Sequence, residues 1–71
     1  MHMAQIFISG MTPIEVWSVI NEIAPFDWKY IDVYIDNSIV AFVSSNMVTK
    51  VCDALITAAD ENLKLYTVYA A

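Results

Sequence analysis

The sequence predicts an α+β domain with the element order βαββαβ, and three observations carry that expectation. A helix start containing proline stands at Thr12-Pro13-Ile14-Glu15. A run of period two over Trp28 to Ile35 is answered, after a turn, by Ile39 to Ser44. A second stripe at helical spacing then extends from Val48 to Ala59. Short strand-like runs before the first helix and after the second complete the order.

Each element has its own local reason. Ala4-Gln5-Ile6-Phe7-Ile8-Ser9 is rich in β-branched and aromatic residues, which favours strand, and Gly10 ends it. Thr12 is placed to cap the first helix. Pro13 occupies the first helical position, where no N–H is needed, and Glu15 can reach back to the Thr12 amide. Val16, Ile20 and Ile23, with Val19 and Ala24, form its apolar stripe, and Pro25 stops it. In the next run Ile31, Val33 and Ile35 alternate with Tyr30, Asp32 and Tyr34, the signature of a half-buried strand. Asp36-Asn37-Ser38 supplies turn chemistry. A three-residue turn there puts Ile31, Val33 and Ile35 on one face with Ile39, Ala41 and Val43, and segregates Asp32 from the aliphatics. A slip of one residue would invert every side chain. Ser45 or Asn46 is placed to cap the second helix, whose apolar positions are Val48, Val51, Cys52, Leu55, Ile56 and Ala59. Asp60-Glu61-Asn62 closes it, and Leu63 to Tyr69 is the last strand.

Composition narrows the functional classes. The chain has 71 residues, 59% of them hydrophobic, enough for one small domain, expected over residues 4–71. Cys52 is the only cysteine, which excludes a disulfide framework. With His2 it makes up the whole set of soft ligands, so a zinc site is not expected, nor any other cofactor. No apolar run approaches the ~18 residues of a membrane span. Met1-His2-Met3 reads as a cloning remnant rather than the start of a signal peptide, so an intracellular location, nuclear or cytoplasmic, is expected. Catalysis is not expected either, for lack of a Ser/His/Asp set, a phosphate-cradling glycine loop or a carboxylate cluster. Three Lys+Arg against eight Asp+Glu give a net charge of −5. A domain that holds nucleic acid through its phosphates needs the opposite sign. Any nucleic-acid contact made here has to come from stacking and base edges.

Right-handed crossovers place both helices on one face of a four-stranded antiparallel sheet, in a ferredoxin-like split βαβ arrangement. The other face is left open. Its expected occupants Phe7, Tyr30, Tyr34 and Phe42 are aromatic, and function is to be sought there.

Ile6-Phe7-Ile8-Ser9-Gly10-Met11 resembles the first-strand signature of an RNA-recognition motif (RRM), and Val40-Ala41-Phe42-Val43 resembles the core of its third-strand signature. That fold stacks bases on aromatics of its central strands. Here Ser38, Ile39 and Val40 stand where the third-strand signature opens with a basic residue, glycine and an aromatic. A narrower resemblance covers Val33-Tyr34-Ile35-Asp36-Asn37, the following Ala41-Phe42-Val43-Ser44, and Leu65 to Ala70. These segments are similar to the RRM of the poly(A)-specific ribonucleases, a deadenylase family. The resemblance implies an RRM-like domain that helps bind RNA or the 7-methylguanosine cap, with catalysis elsewhere in the parent protein. It puts Tyr34 where the family has a cap-stacking tryptophan. The site it implies comprises Tyr34, Phe42, Phe7, Tyr30, Asp32, Asp36 and Trp28. A methylated guanine is cationic and gains cation–π attraction over an electron-rich ring, while Asp32 or Asp36 can accept from its N1–H and N2–H₂.

A second reading comes from a different class. An acidic sheet face bearing rings can dock the parent's own nuclease domain, another protein or a second copy of the chain. A viral inhibitor that mimics nucleic-acid charge is a third, resting on net charge alone.

Overall fold

The chain folds, in a computed structural model that describes residues 2–26, 28–33 and 38–69, as β1 (Met3–Ser9), α1 (Pro13–Ile23), β2 (Trp28–Val33), β3 (Ile39–Ser44), a 3₁₀ turn (Ser45–Met47), α2 (Val48–Ala58) and β4 (Lys64–Tyr69). The side chains of Lys29, Tyr30 and Val33 lie outside this description. The strands form one sheet in the order β2-β3-β1-β4, every neighbouring pair antiparallel.

Burial along β1 alternates, with Ala4, Ile6 and Ile8 inside and Met3, Gln5, Phe7 and Ser9 partly exposed. That period of two assigns one face of the strand to the core. Ile39, Ala41 and Val43 of β3 join the same cluster, together with Val16 and Ile20 of α1 and Val48, Val51 and Leu55 of α2. A single core therefore lies between one sheet face and both helices. Ile23 and Ile56, expected in the helical stripes, are largely exposed at the rims of their helices.

The start of α1 forms as its sequence implies. The Glu15 amide donates to Thr12 Oγ1, and the Glu15 carboxylate accepts from the Thr12 amide at 3.0 Å and from its hydroxyl at 2.8 Å. The start of α2 differs from expectation. Neither Ser45 nor Asn46 caps it: both belong to the 3₁₀ turn, and Met47 holds the cap position without a side-chain bond. The Asn46 side chain instead accepts from the buried Ser44 hydroxyl. The Ser45 amide donates to the His2 carbonyl, so the chain is tied into the ladder from His2 onward.

The β2–β3 register keeps the expected faces but not the expected turn. Ile39 pairs with Val33 and Ala41 with Ile31, whereas a three-residue turn would set Ile35 opposite Ile39. An offset of two preserves parity, so Ile31 still packs on the core. Farther along, Trp28 pairs with Val43, so Lys29 and Tyr30 together face Phe42 across a bulge.

Candidate functional site

The face turned away from the helices is built from the odd positions of β1, the even positions of β3 and β4 and, in β2, Asp32. The pairings set out a row running across all four strands: Asp32 beside Val40, Val40 beside Phe7, and Phe7 beside Tyr66. The next row sets Phe42 beside Gln5 and Gln5 beside Val68. Val40 is fully buried although it lies outside the helix-side core, with Phe7 and Asp32 as its neighbours in the row. This face thus has a small apolar floor of its own.

Three rings stand on that floor among the described residues. Phe7 and Tyr66 form a tilted pair, with centroids 6.0 Å apart and an interplanar angle of 59°. That geometry is within the favourable range for edge-on aromatic contact. Phe7 is half-buried, but Tyr66 remains 67% exposed and leaves ring surface open to a ligand. Phe42 sits diagonally from Phe7, beside a shallow depression of about 310 Å³ lined by Met3, Gln5, Phe42, Val68 and Tyr69. Asp32 is exposed at the β2 end of the first row. Among the side chains described on this face Lys64, next to Ser9, is the one cation.

Trp28 does not join the other rings. The bulge gives it the parity of Ile31, and it packs on the helix side against the core. Tyr34 and Asp36 lie outside the described residues, as does the Tyr30 side chain. Tyr66 is the ring that sequence reasoning missed. Leu65, Tyr66, Val68 and Tyr69 put apolar groups at both parities of β4, so alternation alone cannot choose a face; pairing with β1 does.

Other features of the molecule carry less chemistry. A groove of about 530 Å³ between the helices is lined by Glu22, Lys50, Asp53 and Thr57 together with apolar residues that include Val19 and Ile23. Burial pushes the Cys52 thiol above its ordinary pKa; a hydrogen bond with Thr67 opposes the shift, and nearby Asp53 adds to it. The thiol is therefore a poor nucleophile at neutral pH. Among the described residues no three His, Cys, Asp or Glu gather closely enough to hold a metal ion, and no helix is long and apolar enough to cross a membrane. Comparison of the chain with protein-family models, curated proteins and solved structures finds no match.

Proposed function

We propose that this chain is a non-catalytic recognition domain of ferredoxin-like, RRM-like build that accepts a flat ring on its open sheet face, as an accessory RNA- or cap-binding unit of a poly(A)-specific ribonuclease would. The element order and the strand order β2-β3-β1-β4 support the fold assignment. The observation that carries the function is the Phe7–Tyr66 pair, with its exposed tyrosine and Phe42 on the diagonal. Asp32, in the same row, offers a carboxylate to the donor edge of a guanine. Tyr34 and Asp36 extend the proposed site by sequence alone.

Magnitudes limit what this face achieves unaided. One base on one aromatic ring gains about 1–3 kcal/mol, and a total near 4 kcal/mol corresponds to a Kd of about 1 mM. The net charge of −5 repels phosphates, so a cationic or neutral ring is preferred over a polyphosphate. Affinity for a phosphate-bearing ligand should then rise with added salt, the reverse of the slope given by counterion release.

An NMR titration with 7-methylguanosine and with a short oligoadenylate tests the reading. Shifts at Phe7, Phe42 and Tyr66 are expected, with Tyr66→Ala weakening binding at least about fivefold. Unmoved resonances at these positions up to about 10 mM ligand, well above the Kd that stacking implies, would remove the proposal. A protein-docking role for the same face is favoured by one observation: among the side chains described on it, Lys64 is the one cation. In that case the titration is silent, and a protein partner shifts the same rings.

A further inference from the structure

The groove between α1 and α2, at about 530 Å³, is larger than the depression beside Phe42 and lies on the opposite side of the sheet. Its volume is in the range of ligand-binding clefts. Along α2 it runs from Lys50 to Ala58, about two helical turns or about 12 Å. Ala54 and Ala58 leave the concavity open because each carries only a methyl group, and Val19 and Ile23 of α1 form the other wall. The Thr57 hydroxyl is spent within α2, donating to the Asp53 carbonyl at 2.9 Å. Both walls are helices, whose interior backbone groups pair within the helix, so an extended segment finds no edge to join. A ligand must bind here by apolar contact and by charge.

The charge is mostly of one sign. Glu22 and Asp53 stand in the lining with Lys50, and among the described residues none of the three is taken up in an ion pair. Over both helices and the turn after α2, the exposed carboxylates of Glu15, Glu22, Asp53, Asp60 and Glu61 stand against Lys50 alone. A nucleic acid, an anionic lipid surface and a second copy of this chain all meet repulsion on this side. The complementary ligand is cationic and apolar at once.

We propose that this groove is a docking site for a basic amphipathic helix of a partner protein, laid lengthwise between α1 and α2. Apolar side chains at i and i+4 of such a helix repeat about every 6 Å, so two of them fill the trough over Ala54 and Ala58. Lysines or arginines flanking them reach Glu22 and Asp53, while Lys50 opposes binding. The inference concerns the helix side and stands independently of what the ring face binds.

An NMR titration tests it with a synthetic peptide of about eighteen residues, long enough to form a helix. The peptide has leucines at i, i+4, i+7 and i+11 and lysines elsewhere. Amide shifts are expected at residues 19–23 and 50–58, with a Kd below about 1 mM that rises with added salt. Lys50→Glu should tighten binding at least about threefold, and Glu22→Gln combined with Asp53→Asn should weaken it by a similar factor. Ala58→Trp fills the trough from an exposed position and should abolish the shifts. Circular dichroism confirms that the variants fold. Peptides with glutamate for lysine, or alanine for leucine, should not bind. Unmoved amides along the groove overturn the proposal, as do shifts centred on Phe7 and Tyr66 instead. So does either control peptide binding as tightly as the first, or Lys50→Glu leaving affinity unchanged.

Discussion

Tyr66 and Gly10 show how single residues are fixed by what lies across the sheet or the next turn. Gly10 has φ +97°, and a Cβ built on it would stand 2.6 Å from the Asn62 carbonyl oxygen and 2.9 Å from its carbon. The obstacle is backbone in the α2–β4 turn, where the Asn62 amide is held by the Asp60 carboxylate at 2.9 Å, so it yields poorly. Gly10→Ala therefore combines a disfavoured φ with a clash and should destabilise the fold by about 2–4 kcal/mol in urea unfolding. A loss under about 0.5 kcal/mol, the range of neutral surface changes, would show that the turn moves aside freely. Sequence marks Gly10 as a strand end, since it is the chain's only glycine. It does not disclose the approach to Asn62, which belongs to residues some fifty positions apart. Tyr66 was hidden for a related reason, the apolar groups at both parities of its strand. Phe7 and Phe42 were easier to place, because aliphatic neighbours in alternate positions pin the core face of β1 and β3.

Among the elements, α1 was legible down to its first hydrogen bonds because a capping box is local chemistry. The Glu15 carboxyl is held below the usual carboxylate range, first by the Thr12 amide and then by its hydroxyl. A carboxylate with a lowered pKa adds stability above its unfolded value, about 4.3, and that contribution is lost as pH falls through the lower folded value. Thr12→Ala should cost about 1 kcal/mol at neutral pH. The gap between its unfolding curve and the parent's should narrow as pH drops below about 4; a gap that widens on acidification would contradict this account. The start of α2 was less legible, since Ser45 and Asn46 are both plausible caps. The outcome turned on burial of the Ser44 hydroxyl, which takes Asn46 as its acceptor. The faces of Ile31 and of the β3 residues were predictable because only parity matters to them. The bulge was not, since two residues opposing one is settled by the partner strand.

At the scale of the whole molecule, a Cα radius of gyration of 10.8 Å matches the ~11 Å expected of a compact chain this long. One helix-side core joins both helices to β1 and β3, with Trp28 and Ile31 of β2 and Leu65 of β4 packed against it, while Val40 is buried on the outer face. The bulge in β2 has a spectroscopic consequence. By carrying Trp28 inward while Trp17 stays 47% exposed, it gives the chain two indoles in unlike surroundings. In a Trp17→Phe variant Trp28 is the sole emitter. Its fluorescence should be blue-shifted in the native state and move to the red in one step, coincident with loss of helical dichroism. Native emission already at the wavelength of hydrated indole would mean that the strand runs straight and the indole faces water.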